Sequence, residues 1–543
     1  MTSRCFHCGS IVASKEELDP NIPFATGNII RCQELVNSNE PPTDVELTFM
    51  RPFVSKMAAR LTCIDDEIFR LRDRLEQLAT DRLGANLKDY HARYAAVVSP
   101  LRRMPSELLL EIFSWTVPSV DETAGNVSDM QQSPWVLARV SSHWRRVALS
   151  APALWSLIDI DYKNNAWGGY AVSFAMIQAQ VERAQNLRIY FHASESGDAA
   201  SDSEVQLFMF LCQHSARWVD LNLLLTQPLV PHLVALRGRL PSLRRLRVEW
   251  AGRSNRMGVH SITCFQTAPA LVDVGTTEFS PRFRILFPAH NLTSYRVDAP
   301  WAVHEDVLKS APKLIEARIV IPFGVKAWPA PGGKAIDMPH LRRLFVSEME
   351  VLRYLRASKL SEMAIAVGHG KDPIQDLDKF LLRSSCAPRW FYLEGMLDAD
   401  ITANILKKYS FITSIVLIFS DWKFADEDGL SDALEAHLTM FTHGKVPAFP
   451  HLNEIYFGAK NGFPVDYPLF LKMLQSRRSP PYTLKSAALL TSWRSNPDAM
   501  TLAGLKELTQ DGLNLLIETG PTSYIDADRH MDSWAYVTPS PWI

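Results

Sequence analysis

Cys5-Phe-His-Cys8 is the first stretch of the chain with the spacing of a chemical site. Two thiolates two residues apart can bite one zinc ion, because both reach the same tetrahedral centre. A closed structural site needs four ligands, and here His7 lies inside the turn, Cys32 is well downstream and no second Cys-x-x-Cys follows. Cys5 and Cys8 are therefore weak metal candidates; a free thiol pair is the expectation, with no cofactor. Asp421, Asp426, Glu427 and Asp428 cluster without the alternating ligands of a calcium loop, which reads as an acidic surface loop. Cys212 with His214, Cys264 and Cys386 are the residue types of a thiol nucleophile, yet a cysteine in an apolar row is usually a small core residue. No phosphate loop, G-x-G-x-x-G, H-E-x-x-H or G-x-S-x-G occurs. The expectation is a protein that is not an enzyme.

Arginine offers the one charged feature. Arg237, Arg239, Arg244, Arg245 and Arg247 are followed by Arg253 and Arg256. Arg244, Arg245 and Arg247 interleave with Leu243, Leu246 and Val248. On a strand this aims Arg245 and Arg247 at one face and the apolar residues at the other. Such a pair suits phosphate or carboxylate recognition on a target. A solvated face with local acidic partners such as Glu249 is the plainer alternative.

The element that would carry those arginines recurs. An apolar residue, a second three later and a third two after that appear as Trp218, Leu221, Leu223; as Leu243, Leu246, Val248; and as Leu292, Tyr295, Val297. Further rows start at Leu314, Leu341, Leu360, Ile412 and Leu452. Weaker ones are Ala184, Leu187, Ile189; Leu271 with Val274; Trp390 with Leu393; and Leu484, Ala487, Leu489. Starts lie 19 to 40 residues apart. Six rows carry proline two residues before the first apolar position: Pro241, Pro269, Pro312, Pro339, Pro388 and Pro450. Proline ends a helix and biases its neighbour toward extended backbone, so each row reads as helix, proline turn, short strand. Residues 165–518 thus resemble a leucine-rich-repeat solenoid, an α/β repeat with a parallel sheet; the alternative, a conventional α/β sheet domain, leaves the recurring proline register without a cause. The asparagine expected after each strand is missing, which predicts irregular curvature. A helix near 500–510 and a strand at Gly512 to Ile517 end the body, and 519–543 is a polar tail.

Ahead of the body lie two other segments. Residues 1–55 read as loop-like, with Pro20, Pro23, Pro41 and Pro42 and no sustained period. Residues 56–98 read as a coiled-coil helix, since Leu61, Ile64, Ile68, Leu71, Leu75 and Leu78 alternate three- and four-residue steps. Weak homodimerisation through 57–83 and folding back onto the same chain both fit.

Residues 100–160 are the organising stretch. Pro105 suits a first helical turn, and Leu108, Leu109, Ile112, Phe113 and Trp115 make one wide apolar face. Ser133-Pro134 signals a second helix, and Ser141 or Ser142 can cap a third that carries Trp144. Three short helices cannot bury all that apolar surface, so part should meet a partner. Met104-Pro105, Glu107 to Phe113, Val140 with Trp144, and Leu154-Trp155 together resemble the F-box, and the chain is similar to the large F-box families of mushroom-forming fungi. The resemblance implies docking onto the Skp-type adaptor of a cullin–RING (SCF-type) ubiquitin ligase, through Pro105, Leu108, Leu109, Ile112, Phe113 and Val140, with Trp144 behind. Met104 replaces the usual leucine, and the insert from Thr116 to Gln132 is longer than a compact F-box has.

The totals agree with a globular binding protein. The 543 residues are 47% hydrophobic and 21% charged with a net charge of −2, so no global field recruits nucleic acid or membrane. Seven cysteines, mostly scattered, argue for a reducing compartment, and MTSRCFHCGS is no signal peptide; cytoplasm or nucleus is expected. The fold class expected is α+β or α/β repeat: coiled-coil helix, three-helix F-box, repeat body. The function expected is a target-binding ligase subunit. The rivals are a leucine-rich-repeat scaffold outside any ligase and a zinc- or nucleic-acid-binding module using the N-terminus.

Overall fold

Ala268-Pro269, Ala311-Pro312, Met338-Pro339 and Phe449-Pro450 each open a tight turn in which the residue before proline accepts a bond from the leucine three places on, at 3.3 Å in all four. Proline at the second position has the φ such a turn requires. The chain leaves each turn as a strand, with Leu271, Leu314, Leu341 and Leu452 buried at the entry. The computed structural model describes residues 3, 4, 11, 12, 31, 34, 35, 37, 40–84, 100–117, 133–162, 174–193, 201–250, 260–277, 283–322, 328, 334–367, 374–420, 427–442, 449–459, 464–491 and 497–520. It divides into two compact units, Met1–Met104 and Pro105–Ile543.

The second unit is a mixed α/β body around one 14-stranded sheet, running from Leu157–Asp161 to Asn514–Thr519. Its 14 strands follow one another across the sheet in chain order, and their pairings are parallel throughout; the short strands His260–Ile262 with Phe283–Ile285 and Ile336–Asp337 with Leu355–Arg356 pair apart from it. One register line joins Ile189, Leu221, Leu246, Val274, Tyr295, Ala317, Leu344 and Met363, so the second apolar position of the repeat is a continuous buried row. Helices pack on that face: Phe208 of Asp202–Gln213 meets Phe191 at 5.1 Å, and Phe470 of Tyr467–Arg478 meets Phe457 at 6.3 Å.

Backbone groups satisfy the strand entries. The carbonyls of Arg244, Val272, Thr293, Ile315, Arg342, Ser361, Arg389, Thr413 and Asn453 each accept two N–H groups from the start of the following strand. This carbonyl row satisfies the strand entries without a side-chain ladder.

Two rows sit differently from their sequence reading. Ile189, not Leu187, pairs with Leu221, and Phe391, not Leu393, pairs with Met363. Both readings slipped by two residues. A shift of two keeps the face of a strand, so apolarity alone does not detect it. Trp390 pairs with Glu362 and Ser414 on the opposite face.

Ahead of the sheet lie helices Ser106–Thr116, Leu137–Val140 and Ser142–Leu149 and a 3-10 turn Pro152–Trp155. Ser141 caps the third helix by accepting from the Trp144 N–H at 3.1 Å. Ser133 caps nothing: the second helix starts at Leu137, and the Ser133 hydroxyl bonds Thr116 at 2.9 Å, closing the ends of the insert on each other. Residues 118–132 of that insert lie outside the described residues. Arg183 fastens this segment to the body. It belongs to the helix Phe174–Arg183 and lies 4.5 Å over the Trp155 ring and 5.1 Å over Trp135.

In the first unit one helix runs from Asp44 to Gly84. It begins inside the stretch read as loop-like, because Thr43-Asp-Val-Glu46 is a capping box. The Thr43 N–H donates to Glu46 at 2.7 Å, and the Glu46 N–H to the Thr43 hydroxyl at 3.4 Å. Pro52 removes one internal bond without ending the helix. Ser3–Arg4 and Ile11–Val12 pair antiparallel.

Candidate protein interfaces

The helix Ser106–Thr116 separates its two apolar stripes cleanly. Leu109 and Phe113 are fully buried, and the Phe113 ring packs 4.9 Å from Trp144 at a tilt of 55°, with Trp144 half-buried behind it. Leu108, Ile112 and Trp115, at helical spacing, are 55%, 44% and 82% exposed. Pro105 and Val140 are also exposed. Of the residues the sequence marks for an adaptor, Pro105, Leu108, Ile112 and Val140 stand at the surface; Leu109, Phe113 and Trp144 support them from inside. Trp115 belongs with the exposed stripe, its indole N–H held by Glu111 at 3.0 Å. The sequence signal for it was its place three residues after Ile112.

The second surface is the sheet face turned away from the helices. Arg245 and Arg247 lie on it, as the alternation requires, but acidic neighbours hold both. Arg245 clasps Asp220 with two bonds, one at 2.7 Å and a shorter one, and that hydrogen bonding pushes its own pKa up. Arg247 clasps Asp273 with two bonds of 2.8 Å. Glu249, the acid nearest in sequence, is not the partner of either pair. Farther along, Arg343 bridges Glu316 and Glu362 at 3.0 Å each. Register places all of these paired residues except Arg247 in one line, with Arg188 and Ser294: Arg188, Asp220, Arg245, Asp273, Ser294, Glu316, Arg343, Glu362. Burial pushes the Glu316 and Glu362 carboxyls up, and Arg343 draws both back.

Farther along these strands, and onto those that follow, the same face changes character. Phe345, Ala364, Tyr392 and Ile418 form an apolar cluster, with Val320, Ala366 and Val416 against it, and Trp390 stacks on Tyr456 at 6.2 Å. The face thus carries a row of ion pairs from Asp220 to Glu362 and, overlapping it on the strands of Glu316 and Arg343, an apolar and aromatic cluster that continues onto later strands. The sequence rows name none of the cluster residues, because the repeat follows only the helix-side positions; Trp390 alone stands in a row.

The remaining chemical candidates are quiet. Burial pushes the Cys212 and Cys264 thiols up to about 12 and Cys386 to about 11, so each is a neutral thiol at physiological pH. Cys5, Cys8 and residues 421–426 of the acidic stretch lie outside the described residues; Glu427 opens the helix Glu427–Thr442. Among the described residues no three His, Cys, Asp or Glu side chains are grouped to hold a metal ion, and no helix is long and apolar enough to cross a membrane.

No protein-family model matches the chain, and no curated protein matches it.

Proposed function

We propose that this chain is the target-binding subunit of a cullin–RING ubiquitin ligase, with residues 100–160 as an F-box on a Skp-type adaptor and residues 165–518 as a leucine-rich-repeat-like solenoid holding a target protein. The observation that carries the reading is the split helix Ser106–Thr116. Its ordered Pro105, leucine, isoleucine and phenylalanine positions match the F-box pattern, and the stripe Leu108, Ile112, Trp115 stays in water while Leu109 and Phe113 fill the core. An exposed apolar stripe on a short, well-supported helix is the usual form of a docking surface. The Arg183 clasp on Trp135 and Trp155 supports the rest. It ties the docking segment to the sheet, so a target on the sheet face keeps a fixed orientation to the adaptor. Ubiquitin transfer then gains from proximity, and this chain needs no catalytic group.

The test is copurification from cells expressing the tagged full chain. Wild type brings down adaptor and cullin. Leu108→Glu with Ile112→Glu, both surface positions, loses both proteins at unchanged thermal stability. If the double variant retains them, or wild type never captures them, the scaffold reading takes the place of the ligase reading.

A further inference from the structure

The helix Asp44–Gly84 carries a longer seam than its sequence first suggests. Counting back from Leu61 in heptad steps gives Met57, Val54, Met50 and Leu47, each apolar and each inside the helix. The seam therefore spans five heptads, Leu47 to Leu78, on a helix about 62 Å long by its rise per residue. From Leu61 to Leu78 the six seam side chains are 40–69% exposed. A run of that length and regularity has one general use, knobs-into-holes packing against another helix of the same repeat.

The flanking charges say which helix. With Leu47 at an a position, Arg60 and Glu67 fall at g, and Asp65 and Arg72 at e. In two parallel, in-register copies each g residue faces the e residue five places on in the partner. Arg60 then meets Asp65, and Glu67 meets Arg72, on both sides of the seam. An antiparallel pair of the same overlap keeps one attractive contact, Arg60 with Glu67, and sets Arg51 against Arg72. Ile68 at a with Leu71 at d follows the two-stranded preference, although Leu61 and Ile64 reverse it.

We infer that residues 47–78 form a parallel, in-register two-stranded coiled coil with a second copy of this chain. The inference does not rest on the ligase reading, since a scaffold would dimerise equally. Its consequence is bivalence: two target-binding sheets on one assembly raise the apparent affinity for a target that carries two sites.

Light scattering on the purified full chain at tens of micromolar tests it. Wild type is expected at twice the mass of the 61.3 kDa chain. Arg60→Glu with Arg72→Glu should be monomeric, because like charges then face each other. Asp65→Lys with Glu67→Lys should be monomeric for the same reason. An equimolar mixture of the two should restore the dimer, since all four facing pairs become opposite. Leu78→Cys should cross-link on mild oxidation, as the two copies meet there; an antiparallel pair would hold these cysteines about 46 Å apart. All four changed charges are on the helix surface, so loss of folding is not the cause of a monomer. A monomeric or trimeric wild type, a mixture that stays monomeric, or no Leu78→Cys cross-link overturns the inference.

Discussion

Arg247 lies where a side chain on Gly275 would have to be. The two residues face each other across neighbouring strands, and a Cβ on Gly275 would stand 2.5 Å from the Arg247 Cδ and 2.9 Å from its Nε. The arginine uses that bare strip of backbone to reach Asp273. Gly275→Ala should push the guanidinium off Asp273 and cost about 1–3 kcal/mol, as overpacking does. Chemical denaturation of Gly275→Ala, Arg247→Ala and the double variant measures it. The double variant should be less destabilised than the sum of the two singles, because the clash needs both side chains; simple additivity would refute the packing account.

Asp159 sets a pH dependence of the opposite sign to the usual carboxylate. Burial, and then the charge of Asp161, push its pKa up to about 7. An ordinary unfolded aspartate is ionised above about pH 4. Between those values folding takes up a proton, so stability is fully present at the acid end and falls as pH rises toward about 7. Asp159→Asn cannot ionise. Its thermal midpoint should exceed that of wild type at about pH 8 and approach it near pH 5. A constant difference across that range would show that Asp159 stays charged in the fold.

Arg343 should matter most in alkaline buffer. It stands between Glu316 and Glu362, two carboxyls whose pKa values burial already raises. Arg343→Met leaves both acids without their cation, which favours their protonated forms further. Native protons are then lost as pH rises, and stability with them. The expected penalty is about 3 kcal/mol or more at about pH 8, in the range for a broken buried pair, and smaller near pH 5. Urea denaturation at the two values decides it; an equal penalty at both would mean that the pair contributes packing rather than charge.

Period and proline placement made the strands legible in the sequence. Pro269, Pro312, Pro339 and Pro450 are turn residues for a local reason, and the apolar rows they precede are core rows. What stayed hidden depends on register. Asp220, Arg245 and Asp273 are 25 and 28 residues apart in sequence and become neighbours only when the strands align. For the same reason Glu249 stood out as a partner for the arginines, while Asp220 and Asp273 did not. Trp390 was drawn into the helix-side row because an apolar residue on the open face breaks no period. The start of the long helix lay inside the stretch read as loop-like from Pro20, Pro23, Pro41 and Pro42, and the capping box at Thr43 and Glu46 opens it directly after the last of these. Apolar count likewise announced an exposed patch near Pro105, but not which leucines compose it. That required knowing which side of the helix meets Trp144.

Adjacent leucines on that helix should behave as opposites. Leu109 is fully enclosed and Leu108 is over half exposed. Leu109→Ala removes core contacts and leaves a cavity beside Phe113, which should cost about 2–5 kcal/mol. A loss of adaptor from that variant would report unfolding rather than contact. Leu108→Ala removes a surface side chain, and stability should shift by no more than about 0.5 kcal/mol. If the stripe is the adaptor surface, Leu108→Ala nonetheless weakens capture of the adaptor, and Ile112→Ala does the same. Thermal unfolding alongside copurification for Leu108→Ala, Leu109→Ala and Ile112→Ala separates the two effects. Stable Leu108→Ala and Ile112→Ala proteins that bind the adaptor as wild type does would remove the stripe from the interface, and with it the observation on which the ligase reading stands.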